Sequence, residues 1–406
     1  MQNKMRRVTA IPLVAALAIL AVAGNASAQS FPNGVFRSES TWQQYARNSP
    51  SLKAHLAQRA RALRAWESIA PSLLEPVTLN ATVTAKNRGG SRELRIRNFH
   101  YIGDCGYKHG GQDTGVETQT TARGVFASDI ANSILDQAAL TGIGIDSLYV
   151  TIQGQPDKQP TGRVNYTRNF LYTVRIASKA SDAQLERLVT EAERRSPVIN
   201  LIKRAVTPQL TIDYKQTPRG RVVEGKTLAG LREYIHGKRQ AILAYSVPDS
   251  LRKQSVPAAP TPQPYVRVLP NGVRQLNVPT GGVWYVINHD NPEYLGGANL
   301  SQTSLENALG VLGTCITHIS EIQAARLDLD VDSLQLSVAA EIDPRAGRKG
   351  YEDVPSWPQN VRYTLHVRTP ESLETVKKWI ESVEQICPMY NVFKDTQTFE
   401  HRIERI

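Results

Sequence analysis

Two cysteines in this chain have neighbours that suit them to thiol chemistry. Cys315 stands in an apolar run with Leu309, Leu312, Ile316 and Ile319, and Cys387 directly precedes Pro388. A thiolate can cleave a peroxide O–O bond and become a sulfenic acid, which a second thiol traps as a disulfide before over-oxidation. Glu306 lies nine residues before Cys315, about two and a half helical turns. Direct contact between the two on one straight helix would be strained. The same cysteines could instead be a structural disulfide between packed helices. The third cysteine, in Gly103-Asp104-Cys105-Gly106, reads as an unpaired loop thiol.

Periodicity locates the elements that must hold these residues. A helix is expected over about 304–325, with Leu309, Leu312, Ile316 and Ile319 on its buried face, and a second over about 370–386. Strands at 334–340 and 361–367 lie between them. Far upstream, Leu52, Leu56, Ala60, Leu63 and Trp66 recur at helical spacing within 35–72. Strands at 79–83 and 93–97 follow, separated by the turn signal Arg88-Gly89-Gly90. A helix at 228–243 reads as an addition at the end of the first half.

Sliding the chain along itself exposes an internal repeat. Gly110-Gly111 falls on Gly296-Gly297, an offset of 186, and without a gap residues 144–148 fall on 330–334. After a five-residue length change, Tyr172-Thr173-Val174 meets Tyr363-Thr364-Leu365, and Ser196-Pro197 meets Cys387-Pro388. The expected organisation is a leader at 1–28, a helical extension at 29–74, and a first repeat at 75–246. A Pro-rich linker at 247–264 and a second repeat at 265–406 complete it. In the first repeat Asp129 stands where Cys315 would be, Thr120 where Glu306 would be, and Ser196 where Cys387 would be. No thiol chemistry is available there.

The second repeat resembles the OsmC/Ohr superfamily. The residues that carry the resemblance are Gly296-Gly297-Ala298-Asn299, Ser304-Leu305-Glu306, Ala308-Leu309-Gly310, Gly313-Thr314-Cys315, Val331-Asp332-Ser333-Leu334 and Cys387-Pro388. Single-domain members are intertwined dimers with sites at their interface. The resemblance therefore implies an α+β fold of two OsmC-like repeats, a monomeric pseudo-dimer with central packed helices and flanking antiparallel sheets. It implies Cys315 as the peroxidatic thiol, Cys387 as the resolving one, and Glu306 as the carboxylate that holds a thiolate-stabilising arginine. Arg88, Arg97, Arg267 and Arg274 all lie in comparable hairpins, and Arg88 and Arg274 are equivalent at the repeat offset. The implied activity is reduction of organic hydroperoxides, with a thiol reductant as second partner. The alternative is a non-enzymatic module that binds an apolar ligand or a protein partner, its cysteines locked as a staple.

Composition bounds the rest. Lys4, Arg6 and Arg7 precede an apolar run from Ile11 to Gly24, and Ala26-Ser27-Ala28 follows. That is the layout of a secretory leader, with Gln29 the new terminus and a periplasmic destination expected. The run is short for a span, so no stable membrane anchor is expected. The net charge is +11, but the cations are scattered among acids without a dense run, and no nucleic-acid partner is expected. Residues 220–227 match a phosphate-loop pattern without the strand that should lead into it. Cys315 and His318 are two potential ligands, too few for zinc. Neither cofactor nor metal is expected.

Overall fold

The computed structural model describes residues 49–86, 91–106, 109–155, 166–219, 230–245 and 262–406. The expected leader, Arg88 and its turn, the 220–227 stretch and the expected linker up to residue 261 lie outside the described residues.

The first half runs α1 (Leu52–Glu67), β1 (Val77–Ala85), β2 (Arg92–Ile96), β3 (Phe99–Gly103), α2 (Thr118–Thr141), β4 (Ser147–Gln155), β5 (Arg168–Ala177), α3 (Asp182–Arg195), α4 (Pro197–Lys203) and β6 (Gln209–Gln216). The second repeats that order: α5 (Leu231–Tyr245), β7 (Tyr265–Val268), β8 (Arg274–Thr280), β9 (Val283–His289), α6 (Ser304–Leu327), β10 (Ser333–Ile342), β11 (Gln359–Thr369), α7 (Leu373–Ile386), α8 (Pro388–Lys394) and β12 (Phe399–Arg405).

Local chemistry sets the ends of the central helix of repeat two. Thr303 and Glu306 close a capping box at the start of α6, satisfying two otherwise orphaned N–H groups. Asp328, in the left-handed conformation, ends it. The expected apolar face is present: Leu309, Leu312 and Ile316 are buried, and Ile319 is half-buried. Burial continues round the helix, from Ala308 to Thr317 without a break, because α6 lies between a sheet and α2. Helices α7 and α8 are separate because Pro388 disfavours helical backbone at Cys387, which takes extended dihedrals and so turns the chain.

Two six-stranded sheets, ordered β3-β2-β1-β10-β11-β6 and β12-β5-β4-β7-β8-β9, flank α2 and α6. Each takes strands from both repeats. β1 pairs with β10 and β4 with β7, so the repeats share one continuous body. The sheets are mixed where antiparallel ones were expected: β6 runs parallel to β11, and β12 parallel to β5. The physical reason is exchange. Each repeat's last strand returns past its own two terminal helices and adds to the sheet that holds the other repeat's second long strand.

The helix expected as an addition to the first half belongs elsewhere. α5 packs on α6 as α1 packs on α2. Gly110 and Gly296, both with positive φ, show the equivalence: a Cβ on Gly110 would lie 2.7 Å from Lys238 of α5, and one on Gly296 2.8 Å from Arg59 of α1. Each repeat therefore opens with a helix seated against a glycine turn.

Candidate active site

Cys315 is buried in the middle of α6, and Cys387 is fully buried at the junction of α7 and α8. Both are free, and each thiol lies within electrostatic reach of the other. Burial pushes the Cys315 thiol well above its usual range, and the Cys387 thiol adds to the rise. The backbone N–H of Met389 opposes it, and the Glu117 carboxylate of repeat one raises it further. No arginine is among these groups. Burial holds the Cys315 thiol protonated in an apolar setting, and a sulfenic acid formed on it would meet the Cys387 sulfur.

Repeat one reproduces the frame with different atoms. Ser196 ends α3 and caps α4, as Cys387 does for α7 and α8. Its hydroxyl donates to Asp129 at 2.5 Å, and the Val198 N–H donates to the same oxygen at 3.1 Å, the counterpart of Met389 on Cys315. Ser304 of α6 donates to the other Asp129 oxygen at 2.9 Å. Asn200 donates to the Ser196 carbonyl at 2.7 Å and Asn391 to that of Cys387 at 2.8 Å, so an amide braces each junction.

Glu306 holds one of the candidate arginines. α6 is unbroken between Glu306 and Cys315, which sets them about 13–14 Å apart along the axis. The Glu306 carboxylate accepts from Thr303 in the capping box and from Arg97, whose Nε lies 2.8 Å away. Arg97 ends the β2 strand region of repeat one at a positive φ of 52° and also donates to Asn299. Of the four candidate arginines, Arg97 thus meets Glu306 across the repeats. Arg274 is buried and donates to Asn291 at 2.9 Å, Arg267 lies exposed on β7, and Arg88 is outside the described residues.

One cation beside Met389 escaped sequence reading. Arg123 of α2 helps line a narrow apolar cleft of about 10 Å³ with Ala122, Phe126, Phe170, Pro388 and Met389. One of its lining residues, Met389, is the residue whose backbone N–H acts on Cys315. Arg123 donates to Gln263 and Thr120, its Nε has no hydrogen-bond partner, and the Glu117 carboxylate acts on it as it does on Cys315. The spacing of α2 gives no hint of this, because the contact crosses from one repeat to the other. Cys105 also departs from expectation. Although unbridged and in a loop, it is only 2% exposed and sits beside Lys238.

Residues 297–402 match the model of the OsmC-like protein family, so the second repeat carries an OsmC-like domain. Three solved protein chains are similar. One is an OsmC-like protein from Mycoplasma pneumoniae, 17% identical over 32% of this chain and 86% of that chain, with a TM-score of 0.26. No curated protein matches the chain.

Proposed function

We propose that this protein is an exported thiol peroxidase that reduces organic hydroperoxides, with Cys315 as the attacking thiol and Cys387 as the resolving one. The observation that supports it best is the pair of free, buried and electrostatically coupled thiols within the OsmC-like domain, one on the central helix and one at a helix junction before a proline. Peroxide attack at Cys315 would release the alcohol and leave a sulfenic acid. The Cys387 thiol would then displace water and form the disulfide, which an external thiol must reduce. The cleft beside Met389 is the approach to the sulfur. Its free volume is about that of a water molecule, which suits the O–O end, and the apolar wall of Phe126, Phe170 and Met389 would take the organic tail. Arg123, which lines this cleft, is the cation assigned to favouring the thiolate, while the hairpin Arg97 is paired with Glu306. Repeat one acts as a partner wall supplying Arg123, without chemistry of its own. Export rests on the charged, apolar and small-residue order of the first 28 residues, and the mature chain is expected to begin at Gln29.

One observation favours a second reading: both sulfurs are buried, and burial holds Cys315 protonated. In that reading the pair is a staple, and the protein binds an apolar ligand or a partner. Peroxide consumption by the reduced chain and its single cysteine variants separates the two.

A further inference from the structure

A second buried thiol lies among charged groups that the proposed reaction does not use. Cys105 follows β3, and its Sγ is 3.8 Å from the Lys238 Nζ of α5. Lys238 is itself buried; its ammonium donates to Tyr234 at 2.7 Å and lies 3.7 Å from Glu321 Oε2. That carboxylate is fully buried on α6, and Arg92 donates to it at 3.1 Å. Its other oxygen, Oε1, has no hydrogen-bond partner. Asp104, the remaining buried acid, is satisfied by the N–H groups of Cys105, Gln112 and Thr114 and the Thr114 hydroxyl. The Cys105 thiol itself faces the His109 carbonyl at 3.8 Å.

The equivalent place in the other half lacks these reactants. There Arg59 stands for Lys238 and bonds Asp136 at 2.8 Å, while Asn291 stands for Cys105 and bonds Arg274. A guanidinium and an amide make a stable polar anchor. An amine beside a thiol, with a carboxylate able to take a proton, makes a reactive one.

We propose that Cys105 and Lys238 form a redox-modification site at which hydrogen peroxide joins sulfur and nitrogen through one oxygen, an N–O–S crosslink. In the first step the thiol attacks peroxide: the O–O bond breaks, an S–O bond forms and water leaves, giving the sulfenic acid. The Lys238 ammonium passes a proton to Glu321, which burial already inclines to hold one. A second peroxide accepts the two electrons released as the N–O bond forms. One hydrogen is lost from the amine and one from the sulfenic acid, and two waters leave. Excess dithiol reverses the change. The crosslink ties α5 of repeat two to the hairpin loop of repeat one.

The test is peptide mass spectrometry on the full chain, reduced and then titrated with hydrogen peroxide. The Cys105 peptide should appear joined to the Lys238 peptide with one oxygen gained and two hydrogens lost. Trypsin should fail at Lys238, and dithiothreitol should restore both peptides. Lys238→Arg keeps the cation, as Arg59 shows the fold accepts, and should abolish the crosslink and divert Cys105 to sulfinic acid. Recovery of wild-type Cys105 only as thiol, sulfinic or sulfonic acid, or in a disulfide, overturns the proposal. A Cys315→Ser chain serves equally well, so the outcome does not depend on the peroxidase reading.

Discussion

Ser196 donates its hydroxyl to the Asp129 carboxylate at 2.5 Å, in the place where Cys387 meets Cys315 in the other repeat. Both residues are buried. Ser196→Ala should therefore leave a buried carboxylate short of a donor and lower stability by roughly 1–3 kcal/mol. Peroxide consumption per folded molecule should not change, since repeat one has no thiol at this place. Chemical denaturation with a parallel rate measurement checks both halves of the expectation.

The Arg97–Glu306 pair joins a hairpin of one repeat to the helix of the other, but Arg97 is 30% exposed. Glu306→Gln keeps the capping box and removes only the ion pair, so it should cost less than about 1 kcal/mol. Glu306→Ala should cost about 0.5–2 kcal/mol more by losing the cap interaction. Urea unfolding of the two variants separates pair from cap.

If Arg123 favours the thiolate, Arg123→Ala should slow hydroperoxide consumption by at least tenfold, while Arg97→Ala should change it by less than about threefold. Stopped-flow rates at several pH values check this. The Arg123 variant should regain rate as pH rises, because more of its Cys315 ionises.

His289 gives the fold an acid sensitivity. Its ring lies 2.8 Å from both Ser128 and the Asn307 amide nitrogen, and Tyr101 donates to the Asn307 oxygen. An amide nitrogen only donates, so His289 accepts at Nε2 and donates from Nδ1 to Ser128. Burial, and then the Arg274 charge, lower its pKa to about 3 from an ordinary 6.5. The folded ring stays neutral while the unfolded one takes up a proton below pH 6.5. Its contribution is thus complete above pH 6.5 and falls towards pH 3 by up to about 1.4 kcal/mol per unit. His289→Asn should reduce the stability difference between pH 7 and pH 5 by about 2 kcal/mol, measured by urea midpoints at the two pH values.

The parts of the fold legible in the sequence are those whose causes are local. Gly110 and Gly296 aligned because each must turn with positive φ under a helix, and α6 was readable from its apolar spacing. The parallel strands β6 and β12 were not readable, since each pairs with the other repeat and carries no local mark of it. α5 was assigned by its nearness in sequence to repeat one, whereas packing on α6 decides its place. The two cysteines were visible as a pair, yet Arg97 reaches Glu306 across 209 residues, a contact no spacing rule reveals.

The central claim is tested most directly by hydroperoxide loss with the reduced wild type, Cys315→Ser and Cys387→Ser side by side. The wild type should consume tert-butyl hydroperoxide over many turnovers with a thiol reductant, and faster than hydrogen peroxide. Cys315→Ser should fall to background, and Cys387→Ser should react once and then stall at sulfenic acid or over-oxidise. Equal, background-level rates in all three proteins would contradict the account and leave Cys315 and Cys387 as a structural staple.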